Sequence, residues 1–432
     1  MLTFVRATGE RLRETGSILW RSFYSVTLTI LCSIGLAFIP QGIESLRLVS
    51  QPGWNFAVFA VSVASWSLAA WYSARLTLGR IFAGNAIVDC SDTPYVRWLR
   101  AWLPRLLGVL PATLLAVRYQ LLGEPVLALA FAGVLLAIGA FVLAPHRWFG
   151  SPLSRLPGSE ASLRFVELQK RTVVTVVTVI LLSFALLLAI WWKPVEVGNI
   201  VTAPSLLCFA FGSWILFGDL VLTYYFRHFK LPSMAAMPLL LFVAFSPWND
   251  NHEVAQLDGA PGPSLRPAGP ARLHAWLEAR QASGALKAGQ PFPVFLVAAE
   301  GGGLRGAYWT SMVLAKLQDD SQRRFADHVF ALSGVSGGSL GGAVFAALVA
   351  DQHSGALARA PCARLARVAF QACATAVLRR DFLSPILGYL LYPDMVQRFL
   401  PLPVAAADRA RAMELAWQTG WTDSVGSDRL SQ

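Results

Sequence analysis

The chain has 432 residues, 55% of them hydrophobic and only 14% charged, and a net charge of +11. A soluble domain carries about 25% charged residues, so this composition excludes an ordinary soluble protein and predicts a membrane protein. The positive charge does not point to nucleic acid, because the Arg residues flank apolar stretches and no nucleic-acid-binding motif accompanies them.

In chain order, the first twenty residues are polar and mixed in charge, with Arg6, Arg11 and Arg13 against Glu10 and Glu14. The apolar stretch behind them is long and lacks a clear small-residue cleavage site. An uncleaved first span is therefore expected rather than a signal peptide. Seven stretches approach the roughly 20 apolar residues that a bilayer crossing needs. They cover residues 20–40, 54–76, 103–122, 125–143, 172–192, 200–226 and 231–248. The third is interrupted by Arg105, Pro111 and Arg118, and the seventh is short. Trp20, Trp54, Trp191, Trp192 and Trp248 sit near span ends, as interface anchors do.

Asp219 is the one clear acid inside a span, close to Tyr224, Tyr225 and Arg227. An intramembrane acid is a functional candidate by default. No second acid joins it to form a relay, so helix pairing or an interfacial role is expected rather than ion conduction. The amino-terminus is rich in Arg, as are the loop with Arg80, Arg97 and Arg100 and the loop with Arg147, Arg155, Arg164, Lys170 and Arg171. The positive-inside rule then makes the amino-terminus cytoplasmic. Seven spans put the carboxyl half on the exported side, where the run Trp248-Asn249-Asp250-Asn251-His252-Glu253 has acids but no Lys or Arg. Loss of the third or the seventh span alone puts it in the cytoplasm instead.

The five cysteines, Cys32, Cys90, Cys208, Cys362 and Cys373, form no CxxC pair. They predict neither a metal site nor a disulfide framework, and ordinary buried thiols are expected. Residues 258–270 read DGAPGPSLRPAGP, a linker by its Pro and Gly content. Residues 271–282 follow with Leu273, Trp276 and Leu277 at helical spacing. This short amphipathic helix is expected to dock on the next domain, with the membrane surface as the alternative.

Two glycine turns organise the carboxyl half. The apolar run from Val294 to Ala299 leads into Gly301, Gly302 and Gly303, and the run from Val329 to Leu332 breaks at Gly334-Val335-Ser336-Gly337-Gly338. Each predicts a short buried strand, a tight turn and a helix. The second turn fits Gly-x-Ser-x-Gly, a nucleophile elbow with Ser336 as the nucleophile and Gly334 and Gly338 as its flanks. The first offers backbone N–H groups near a helix N-terminus, suited to a developing oxyanion. A second register, Gly337-Gly338-Ser339-Leu340-Gly341, also fits the motif, but it places Ser339 one turn into the helix, whereas Ser336 directly follows the strand and is the favoured nucleophile.

Together these motifs resemble the patatin-like phospholipase family, in its bacterial membrane-bound branch. That family's oxyanion loop reads Asp-Gly-Gly-Gly-x-Arg-Gly. The corresponding residues are Glu300, Gly301, Gly302, Gly303, Leu304, Arg305 and Gly306, with Glu in place of the first Asp. The resemblance runs from Pro293 to Trp417 and takes in residues 381–394 and the run from Asp408 to Trp417. It implies an α/β hydrolase domain, a Ser-Asp dyad, attack of Ser336 on an ester carbonyl, and an oxyanion held by the glycine loop, with Arg305 bracing the loop or meeting a phosphate. It implies membrane lipids as substrates and a bacterial inner-membrane location. An ordinary α/β-hydrolase needs a later His, and the only one is His353, at the end of the helix that follows the elbow.

The family's aspartate lies in Asp-Gly-Gly or Asp-Gly-Ala after the serine. Here Asp351, Asp381, Asp394, Asp408, Asp423 and Asp428 follow, none with Gly behind it, while Asp258-Gly259-Ala260 precedes the serine in the linker. A fragment is therefore expected, with a degenerate site as the alternative. Residues 381–401 are apolar but broken by Pro385 and Pro393, which predicts a lipid-facing lid or else core or a cover over the site, and Asp408 is placed to cap a helix.

The sequence thus predicts a multi-span α-helical membrane domain over residues 1–248, a linker and short amphipathic helix over 249–290, and the amino-terminal part of an α/β patatin-like hydrolase domain over 291–432. The expected activity is a lipid acyl hydrolase of phospholipase A or lysophospholipase type. The alternative is a non-catalytic membrane scaffold or sensor. No cofactor or metal is implied, because no His/Cys/Asp cluster has ligand spacing. The sequence says nothing of oligomeric state.

Overall fold

The protein is described from a computed structural model, which covers residues 2–50, 53–83, 93–143, 170–222, 236–248, 269–287, 289–364 and 368–427. The elements run α1 (Leu2–Arg21), α2 (Phe23–Phe38), α3 (Pro40–Arg47), α4 (Trp54–Ala83), α5 (Pro94–Leu121), α6 (Pro125–Leu143), α7 (Lys170–Trp192), α8 (Pro194–Val201), α9 (Ala203–Leu216) and α10 (Ala236–Phe245). They continue as α11 (Gly269–Ala282), β1 (Phe295–Ala299), α12 (Gly303–Asp320), β2 (Val329–Gly334), α13 (Gly337–His353), α14 (Ala369–Leu378), α15 (Leu383–Leu391), α16 (Pro393–Gln397) and α17 (Arg409–Val425). The chain forms two compact units. One is Met1–His252 with Leu383–Ala412, and the other is Glu253–Phe382 with Met413–Gln432.

The first unit is a bundle of apolar helices. Trp54–Leu78, Pro94–Leu121, Pro125–Leu143 and Val173–Trp192 are each long and apolar enough to cross a membrane. Two sharply bent pairs, Thr8–Trp20 with Phe23–Phe38 and Pro194–Val201 with Ala203–Asp219, raise the number to six if each counts as one span. The described residues therefore support four to six crossings where the sequence predicts seven. The difference lies at 231–248, where α10 has 10 residues. At 1.5 Å per residue it rises about 15 Å, half of a roughly 30 Å hydrocarbon core. The linker residues 258–268 and the acidic run after Trp248 lie outside the described residues.

Local chemistry explains several of these helices. Thr93 opens α5 by accepting from Val96 N (3.2 Å), with Pro94 in the first turn where no N–H is needed. The interrupted third stretch is helical throughout, with Pro104 and Pro111 inside it. The sixth stretch is broken instead: Thr202 takes φ 65° between α8 and α9, and the two helices meet at 96°. Gly108 lets α5 close on α4, since a Cβ there would lie 2.8 Å from the Trp71 Cβ. Small residues at helix contacts do this in membranes generally.

Asp219 sits on a π-helical turn, Phe217–Leu222, and is 3% exposed. Its carboxylate accepts from Ser25 Oγ on α2 and from Ser73 Oγ on α4, the latter at 2.9 Å. The carboxylate thus ties together three parts of the bundle, as the helix-pairing reading expects.

Residues 383–412 pack in this unit rather than with the residues that precede them in sequence. Tyr389 Oη donates to Trp191 O (2.8 Å), and Trp214 Nε1 donates to Leu391 O (3.3 Å). Ile190, Leu206, Ala210, Tyr389, Tyr392 and Ala412 form one buried cluster. Of the sequence readings for this segment, core describes its packing, and the core is that of the helical bundle. A division at residue 291 therefore does not describe where this stretch packs.

The second unit holds β1 and β2 paired in parallel, from Phe295 opposite Val329 to Ala299 opposite Gly334. Among the described residues this two-stranded ladder is the whole sheet. The strands fall where the sequence predicts them, yet they are not buried: Leu296 is 73% exposed. The core lies on the helical side instead, where Phe345, Phe370, Val377 and Trp421 are buried together. Helix α11 docks here, as expected. Trp276 packs edge-on against Phe330 (5.5 Å), and Arg280 pairs with Asp327 (3.1 Å).

One sequence expectation is overturned in this unit. Cys362 and Cys373 are disulfide-bonded, with Cα atoms 4.9 Å apart. Their separation carries no motif, and the fold brings them together by starting α14 beside the loop that follows α13. Cys32 and Cys208 are free thiols, and Cys90 lies outside the described residues.

Candidate active site

Ser336 stands between β2 and α13 with φ 52° and ψ −121°. Non-glycine residues rarely take a positive φ, and holding one there costs about 1–3 kcal/mol. The strain follows from the turn: the chain must leave a strand and enter a helix within two residues. Ser336 is exposed, and its carbonyl accepts from Ser339 N (3.0 Å) and Leu340 N (3.2 Å), which starts α13.

The glycines around it are set by close approach. A Cβ on Gly334 would lie 2.5 Å from Ser339 N, and one on Gly338 would lie 2.5 Å from Glu300 O. Gly337 and Gly341 press on the backbone of α12 at Gly303 and Ala307. Helix α13 therefore seats directly on α12, which fixes both turns in one frame.

The first turn faces the serine. Gly301 is so placed that a Cβ on it would lie 3.5 Å from the Ser336 Cβ, and Val335 N donates to Ala299 O (3.0 Å) across the two turns. Gly302 and Gly303 have φ 144° and 58°, a range that favours glycine. Gly306 N closes the first helical turn on Gly302 O (3.2 Å), leaving Gly301 N and Gly302 N with no backbone acceptor among the described residues. Arg305 is exposed in the first turn of α12. The sequence-predicted residues Gly301, Gly302, Gly303, Gly306, Gly334, Ser336 and Gly338 thus meet in one place, with Arg305 at its rim.

Ser339 lies inside α13, without the strained backbone of Ser336. His353 ends the same helix, about 24 Å along the axis from its start. Four of the downstream acids have partners elsewhere. Asp351 accepts from Ser427 (2.7 Å), Asp423 pairs with Arg380 (2.8 Å), Asp394 pairs with Arg409, and Asp408 caps α17 through Ala410 N (3.1 Å). Asp428 lies outside the described residues. Among those residues, no side chain is hydrogen-bonded to the Ser336 hydroxyl, and no group of three His, Cys, Asp or Glu side chains is arranged to hold a metal ion.

Sequence reasoning missed a groove beside the elbow. Leu340, Ala343 and Ala347 follow Ser336 at helical spacing and form one wall of an apolar cleft of about 270 Å³. Met413, Trp417 and Trp421 of α17 form the other. Compared with known protein families, with curated proteins and with solved structures, the chain has no match.

Proposed function

We propose that the unit carrying Ser336 is a patatin-like serine acyl hydrolase acting on membrane lipids. The observation that carries this reading is the strained backbone of Ser336, which faces the Gly301–Gly302 turn. Strain of this kind persists where the surrounding structure enforces it, and it gathers at functional sites. In this reading Ser336 Oγ attacks an ester carbonyl. The Gly301 and Gly302 N–H groups receive the oxyanion, the alcohol leaves, and water releases the acid from the acyl-enzyme. The resemblance assigns the serine proton to an aspartate. The apolar cleft along α13, which begins at Leu340 one turn after Ser336, offers room for an acyl chain in this reading.

The disulfide supports an exported, oxidising side for this unit, since cytosolic thiols are kept reduced. Seven spans and an Arg-rich amino-terminus lead to the same side, whereas the six crossings that the described helices allow lead to the cytoplasm, so the disulfide and the span count point to opposite sides.

One observation favours the scaffold reading: Ser336 has no hydrogen-bonded base among the described residues. A fluorophosphonate probe separates the two. Under the hydrolase reading the full chain in detergent is labelled, Ser336→Ala abolishes the adduct, and Ser339→Ala retains it. An unlabelled, folded wild type supports the scaffold.

A further inference from the structure

Helix α7 is the most apolar of the four clear spans, yet only 11% of its apolar window is buried. It stands loosely against the bundle, and behind it lies a cavity of about 460 Å³. That size is within the range of small-molecule sites. Leu68 and Ala69 of α4 and Phe209 and Ser213 of α9 form its inner wall, while Val176 and Val179 of α7 form the outer one. Leu68, Ala69, Phe209 and Ser213 fall well inside their spans, while Val176 lies in the first turn of Val173–Trp192 and Val179 one turn further in.

The chemistry of the wall decides what fills it. A water needs two to four polar partners to be held in a cavity. The wall is mostly apolar and its polar atoms are few: the hydroxyls of Ser183 and Ser213 bond to each other (2.9 Å), Ser213 also donates to Phe209 O (2.8 Å), and the buried Trp66 Nε1–H stands without a partner among the described residues, one donor where a water needs several. A dry void at this depth forfeits dispersion contacts along its whole lining. The apolar chains at hand in the middle of a bilayer are lipid tails.

We infer that this cavity is a binding site for one acyl chain of a membrane lipid, entering from the bilayer past α7 and seated between α4 and α9. The site is independent of Ser336 and of the hydrolase reading. It makes the lipid a structural part of the bundle, bridging a helix that packs weakly by itself.

Photo-crosslinking tests this. The full chain is reconstituted in vesicles of phosphatidylethanolamine and phosphatidylglycerol with a trace of phosphatidylethanolamine carrying a mid-chain diazirine. After irradiation, adducts are mapped by mass spectrometry. The expected map includes Leu68, Phe209 and Ser213 on the inner wall, in addition to the outward residues Leu181 and Phe184 of α7. Adducts confined to outward residues overturn the inference. Val179→Trp fills the cavity from its looser wall and is expected to reduce inner-wall adducts several-fold while leaving those at Leu181 and Phe184. Unchanged inner-wall labelling in that variant also counts against the site. The wild-type map decides alone if the variant does not fold.

Discussion

Gly301 faces Ser336 across the carboxyl edge of the two-stranded sheet, with room for a Cβ at 3.5 Å from the Ser336 Cβ but for little more. Alanine at 301 is therefore expected to fold normally, because that distance is ordinary van der Waals contact. Valine adds branches that press toward the serine and shift the N–H groups beside it. Losing one oxyanion donor costs about 10²–10³ in rate. We expect Gly301→Val to reduce fluorophosphonate labelling by about that order, with the melting temperature held. Full labelling in a folded Gly301→Val protein removes the loop from the site.

The backbone at Ser336 makes a prediction of opposite sign for stability and activity. Glycine takes a positive φ without penalty, so Ser336→Gly relieves strain of about 1–3 kcal/mol less the entropy glycine loses on folding. The variant should be inactive and at least as stable as the wild type by thermal denaturation. A clear loss of stability means the serine side chain is holding the turn, which argues for a structural role.

How much of this was legible in the sequence depended on the kind of signal. The turns at Gly301 and Gly334 were readable because glycine is forced where a Cβ meets backbone, as at Gly338 against Glu300 O. The spans were readable because lipid demands long apolar runs. The placement of residues 383–412 was not, because Tyr389 and Tyr392 suit the interior of either unit and composition does not say which. The exposure of Leu296 was hidden for a related reason: an apolar strand looks the same whether or not anything covers it. The Cys362–Cys373 bond was hidden because pairing depends on the fold and their spacing carries no motif.

That disulfide makes its own prediction. It closes a short loop, with a sequence separation of 11. Loops of this size are stabilised by about 2–4 kcal/mol on the chain-entropy account. Alkylation of the unreduced, denatured protein should leave both cysteines unmodified, and reduction should add two adducts, one on each. Cys373→Ala should lower the unfolding free energy of the second unit by about 2–4 kcal/mol. Alkylation at both Cys362 and Cys373 in protein purified without reductant disproves the bond, and with it the argument for an oxidising compartment.

Asp394 is 1% exposed and pairs with Arg409 and, at 3.5 Å, with Arg398, while Gln397 Nε2 donates to it at 2.9 Å. These contacts fasten the start of α17 to the short helix α16. Removing one partner of a fully buried pair costs about 3–5 kcal/mol, because the other charge is left without compensation. Here Arg409 is 37% exposed and Arg398 19%, so solvent recovers part of that loss. Asp394→Ala is expected to cost about 1–3 kcal/mol on that scale, and Asp394→Asn less, since the amide oxygen still accepts a hydrogen bond. Thermal denaturation in detergent reads both. If the carboxylate were instead the serine's proton acceptor, Asp394→Asn would lose fluorophosphonate labelling while keeping its melting temperature. The ion pairs predict the reverse, with labelling retained and the melting temperature reduced.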